Sequence, residues 1–84
     1  MPHNNLMIFK IAYRNQIHVF AVTHQILFSE LIPFIQARFK DLPKSYHLTY
    51  IDSDHDSICL NNENDMEIMY ELQTNKVKIY IQPN

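Results

Sequence analysis

From Leu6 to Tyr13 the chain alternates, with Phe9, Ile11 and Tyr13 on one side and Ile8, Lys10 and Ala12 on the other, the period of a strand. A polar break, Arg14-Asn15-Gln16, separates it from the β-branched and aromatic run Ile17 to Val22, and the pair predicts a hairpin. The spacing then changes. Leu31, Ile32, Phe34, Ile35 and Phe39 recur at helical intervals, which predicts a helix from a cap at Ser29 to about Phe39, with Pro33 accommodated in its first turn. After the loop Leu42-Pro43-Lys44, His47 to Ile51 alternates again, with Leu48 and Tyr50 against Thr49 and Ile51. Ser57 to Leu60 follows an acidic turn as a short strand. Asp65 to Leu72 predicts a short helix with Met66, Met69 and Tyr70 inward. In the closing strand Val77, Ile79 and Ile81 alternate with Lys76, Lys78 and Tyr80.

The predicted order is ββαββαβ, an α+β pattern that suits a mixed sheet with two helices on one face, the ubiquitin-like β-grasp arrangement. Eighty-four residues make one small domain, residues 1–84 with a core from about 6 to 82, and the 46% apolar content is enough to fold it. The chain has no glycine, so tight turns fall to Asn, Asp, His or Ser. One cysteine, Cys59, leaves no internal disulfide, and the start Met1–Asn5 lacks the features of a signal peptide. With no apolar run of membrane-spanning length, the expected setting is cytoplasmic.

Charge changes the picture most. Seven of the nine carboxylates (Asp52, Asp54, Asp56, Glu63, Asp65, Glu67 and Glu71) lie between Asp52 and Glu71, and no Lys or Arg occurs between Ser45 and Asn75. All seven cations lie outside; set against Glu30 and Asp41 they leave +5 facing −7, which recovers the net charge of −2. Two opposite poles on one chain serve partner selection and orientation better than folding. They point to a binding module able to bind its own kind head to tail.

Tyr50-Ile51-Asp52-Ser53-Asp54-His55-Asp56, followed by Asn64-Asp65-Met66-Glu67, resembles the acidic motif of the Phox and Bem-one (PB-one) domains. Phe9-Lys10-Ile11-Ala12-Tyr13-Arg14 is similar to that family's basic first strand, and the likeness runs from Leu6 to Gln82. The resemblance implies a β-grasp interaction module without catalytic activity or cofactor, pairing with other domains of its class or with itself. Its acidic face would be Asp52, Asp54, Asp56, Asp65 and Glu67, and its basic face Lys10 and Arg14. It further implies a parent protein that is a kinase, a polarity or oxidase scaffold, or an autophagy receptor. Lys10 to Arg14 and Tyr70-Glu71-Leu72 are most similar to the atypical protein kinase C members. His55 stands where the family usually has glycine.

Two alternatives stand beside this. Asp52, Asp54, Asp56 and Glu63 occupy positions one, three, five and twelve of an EF-hand-like calcium loop, although Ser57 replaces the usual glycine at position six and the preceding segment alternates like a strand. An inert ubiquitin-like structural domain is the other. The histidines His3, His18, His24, His47 and His55 share no metal-ligand spacing, and nothing near Cys59 supplies the cationic surroundings of a nucleophilic thiol. Nucleic acid would need a broad basic, aromatic-laced surface, and a membrane partner is not indicated. Lys76 and Lys78 read as strand lysines kept for solubility, and Arg38 and Lys40 fall outside the basic motif.

Overall fold

A computed structural model describes residues 6–84; His3 and the rest of the Met1–Asn5 start lie outside the described residues. The elements are β1 (Met7–Tyr13), β2 (Gln16–Val22), α1 (Phe28–Arg38), β3 (Tyr46–Ile51), β4 (Ser57–Leu60), α2 (Glu63–Leu72) and β5 (Lys76–Pro83). The strands form one sheet in the order β2-β1-β5-β3-β4, so the last strand lies at the centre. It runs parallel to β1, while β1–β2, β3–β4 and β3–β5 are antiparallel. This is the expected mixed sheet.

Alternation along the strands decides which face is covered. Phe9, Ile11 and Tyr13 of β1, Val77, Ile79 and Ile81 of β5, and Leu48 and Tyr50 of β3 are buried in one cluster with Leu31 and Ile35 of α1 and Met66 and Met69 of α2. Both helices therefore lie on the same face. Each such side chain contributes about 1.5–3 kcal/mol relative to exposure. Aromatic rings close the β2 side of the core: Phe20 stacks on Phe9 at 5.1 Å between centroids, and Phe34 of α1 packs on Phe20 at 3.8 Å. The Tyr70 hydroxyl donates to the carbonyl of Ile26 at 2.6 Å, tying α2 to the segment before α1. Burial pushes that phenol's pKa up to about 12.

Three details differ from the sequence expectation. The hairpin loop is Arg14-Asn15 alone, because Gln16 already pairs with Tyr13. Arg14 takes the left-handed conformation there (φ 55°), a job usually given to glycine or asparagine. Helix α1 starts at Phe28, with Leu27 rather than Ser29 at the cap, so Pro33 sits in its second turn and the exposed Ser29 carbonyl loses its helical partner. Helix α2 starts at Glu63, two residues before Asp65.

Candidate functional site

The acidic segment folds into a tight β3–β4 turn. Asp52 Oδ1 accepts the backbone N–H groups of Asp54 at 3.0 Å and Asp56 at 2.9 Å, an Asx-type arrangement. The backbone closes the same loop: Asp52 N–H donates to the Asp56 carbonyl and His55 N–H to the Asp52 carbonyl, both at 3.0 Å. His55 sits at φ 67°, the left-handed position where glycine would be easiest. Histidine is one of the residues that tolerates it. The turn thus forms without glycine.

A second set of hydrogen bonds organises the start of α2. Asn62 Oδ1 accepts the N–H of Asp65, and Asp65 Oδ2 accepts the N–H of Asn61, both at 2.8 Å. Glu63 does something the sequence did not suggest. Its carboxylate reaches across to the N-terminus of α1, accepting Phe28 N–H at 2.6 Å and Ser29 N–H at 3.0 Å. These backbone donors, Phe28 first and Ser29 second, hold its pKa below the ordinary carboxylate value.

The seven acids therefore divide by task. Asp52 shapes the turn, Asp65 ties the β4–α2 junction to the first turn of α2 by accepting Asn61 N–H, and Glu63 caps α1. Asp54, Asp56, Glu67 and Glu71 are exposed, and among the described residues their carboxylates have no hydrogen-bond or ion-pair partner. Ligand oxygens of Asp52, Asp54 and Asp56 come within 4.8 Å of one another. Glu63, the twelfth position of the calcium alternative, is committed to α1 and separated from that trio by β4. Tyr50, near the end of β3, has its phenol pKa raised by burial first and then by the charges of Asp52 and Asp65.

The basic residues lie elsewhere. Lys10 projects from the middle of β1 onto the face of the sheet that carries no helix. Its neighbour in register on β5 is Lys78, and Lys76 precedes it on the same face. Sequence reasoning passed over both: their alternation with Val77 and Ile79 was legible, but the parallel pairing of first and last strands is not a local signal. Arg14 is not brought to Lys10. Its guanidinium lies 5.1 Å from the centroid of the Tyr13 ring and 3.9 Å from Asp41 Oδ2, an exposed pair of small energetic weight. Arg38 is likewise turned over Phe34, 4.6 Å from the ring centroid. His18 packs edge-on against Phe39 and His47 Nδ1 lies 2.6 Å from Asn84 Oδ1, so these two histidines have structural partners. No helix among the described residues is long and apolar enough to cross a membrane.

Comparison with known proteins agrees with this geometry. The family model described as "PB1 domain" matches residues 6–84. No curated protein matches the chain by sequence. Among solved structures, one titled "AtNBR1-PB1 domain" superposes with a TM-score of 0.83 at 21% identity, covering 95% of this chain and 99% of its own. Another, titled "Cryo-EM structure of AtNBR1-PB1 filament (L-type)", gives a TM-score of 0.82 at 23% identity, again covering 95% of this chain and 99% of the other. Both show the same ubiquitin-like fold.

Proposed function

We propose that this chain, which belongs to the PB1 domain family and is therefore a protein–protein interaction module, pairs head to tail through an acidic and a basic face. The acidic face is Asp54, Asp56 and Glu67, held in place by Asp52 and Asp65. The basic face is centred on Lys10, with Arg14 as an outlying cation that must leave Asp41 to take part. One observation carries this reading. Unpartnered carboxylates and an unpartnered lysine coexist on different surfaces of one small domain, and the ion pair present among the described residues, Arg14–Asp41, joins neither pole to the other.

Because the surfaces differ, the contact is heterologous, and copies of one chain can add end to end without closing. That one of the similar structures is a filament of a PB1 domain supports extension to oligomers here. We read residues 1–84 as one such domain, cytoplasmic, without catalytic activity of its own, and directed to protein partners rather than nucleic acid or membranes.

Sedimentation across salt tests the proposal. Exposed charge pairs weaken as the Debye length falls from about 10 Å at 0.1 M to about 3 Å at 1 M, so large species at low salt should give way to monomer. Lys10→Ala and the double variant Asp54→Ala, Asp56→Ala should each stay monomeric alone and form a one-to-one heterodimer when mixed. Two folded variants that fail to pair on mixing would sink the two-pole mechanism.

A further inference from the structure

We infer that the basic face extends onto β5, where Lys76 and Lys78 join Lys10 to receive the acidic turn of a second copy of this chain. The inference rests on the head-to-tail reading above and names residues that reading does not include.

Lys10 and Lys78 are direct register partners on adjacent parallel strands, with Lys76 two positions before Lys78 on the same face. Like charges placed opposite each other destabilise a sheet, and here no carboxylate among the described residues comes within ion-pair distance of either lysine. The outward positions of β1, β2 and β5 carry no acid at all: Ile8, Lys10 and Ala12; Ile17, Val19 and Ala21; Lys76, Lys78 and Tyr80. All three lysines are exposed, and none has an ion-pair partner among the described residues.

They border a shallow cavity of about 270 Å³ whose walls include Ile8, Ile51 and Tyr80. Lys78 Nζ leans over the Tyr80 ring, 5.1 Å from its centroid. An anion entering this cavity meets several cations beside the half-buried Ile8 and Tyr80, where charge attraction is less screened than in open water.

Charge matching selects the occupant. The turn presents Asp54 and Asp56 with no partner of their own, and one lysine cannot neutralise both. The other neighbour of β1, strand β2, has no charged residue, and Arg14 is turned to Asp41. On this face, only β5 supplies the further cations. The acidic turn of another copy, which carries two free carboxylates on a short loop, has the charge that this cavity lacks.

The test uses the capped heterodimer, so that filament growth does not obscure affinity. The component with its acidic face removed (Asp54→Ala, Asp56→Ala) is titrated calorimetrically with the component lacking the basic lysine (Lys10→Ala). Lys76→Ala with Lys78→Ala in the first component should weaken binding at least tenfold, roughly what loss of close interfacial charge pairs gives. Lys76→Met with Lys78→Met, which keeps the apolar stems, should do the same with an unchanged thermal melt. Lys40→Ala with Lys44→Ala removes the same charge outside the cavity and should cost much less. Equal weakening by that control, or wild-type affinity in the β5 variants while Lys10 remains essential, would overturn the inference and leave the two-pole reading intact. If introducing Lys10→Ala into the first component does not weaken binding, the two-pole reading itself fails.

Discussion

Asp52 is the acid whose role the structure defines most sharply, and it separates charge from shape in the acidic face. Asp52→Ala removes the acceptor of two backbone N–H groups, those of Asp54 and Asp56, while the two backbone bonds that close the turn can remain. A hydrogen bond contributes about 0.5–1.5 kcal/mol net, and in an exposed turn the freed N–H groups recover part of this from water. The expected loss is therefore about 1–2 kcal/mol. In a domain of this size each kcal/mol moves Tm by roughly 4–8 °C, so differential scanning calorimetry resolves it. Asp52→Asn keeps an oxygen at the same place and should lose less than half as much. The binding assay should follow the same order: the Ala variant loses affinity because Asp54 and Asp56 are no longer held together, and the Asn variant keeps most of it. If Asn weakens binding as much as Ala while restoring Tm, the Asp52 charge itself meets the partner. If Ala leaves Tm unchanged, the side chain does not organise the turn.

Glu63→Gln should lower Tm at neutral pH, because a carboxylate with depressed pKa stabilises the fold above its ordinary value of 4.5 and loses that contribution as pH falls through the lowered one. The difference between the two proteins should shrink on acidification; a constant difference would show that the charge is not what caps α1. Tyr70→Phe removes a satisfied hydroxyl and should destabilise by about 1 kcal/mol in chemical denaturation, whereas Tyr50→Phe removes a buried hydroxyl without a partner among the described residues and should be neutral or stabilising. The same sign for both would show that the hydroxyl contacts do not control the outcome. His55→Gly should leave stability within about 1 kcal/mol of wild type, since relief of the left-handed backbone offsets added freedom in the unfolded chain, while His55→Val should melt earlier. Equal melting of the two variants would refute a backbone role for this position.

Much of the fold was legible because it is written locally. The two-residue period in Leu6–Tyr13 and Val77–Ile81 and the helical spacing of Leu31, Ile35, Met66 and Met69 mark the buried positions correctly. Helix starts were not. Ser29 looked like the cap of α1, but the donors there are met by Glu30, whose Oε1 accepts Leu27 N–H at 2.8 Å, and by Glu63 from 34 and 35 residues away. A cap supplied by a distant element leaves no trace in neighbouring residues. The acidic turn was legible as a motif, yet not the division of its acids between scaffold and surface, which depends on where each carboxylate finds an N–H. The placement of Lys78 beside Lys10 is illegible for the same reason: it comes from β5 lying beside β1, a contact between the two ends of the chain.

The two poles are anchored very differently. Lys10 stands on β1, hydrogen-bonded on both sides by β2 and β5 and backed by Phe9 and Ile11 in the core. Asp54 and Asp56 occupy a surface loop whose geometry is fixed by Asp52 and the backbone, so their side chains are free of structural duty. Over evolutionary time these constraints allow unequal rates of change. A duplicated gene can alter Asp54 and Asp56 at almost no cost to folding, and on the head-to-tail reading its choice of partner would change with them. The lysine side can change only within what a central strand tolerates. Divergence should therefore begin at the loop, with the strand lysine following.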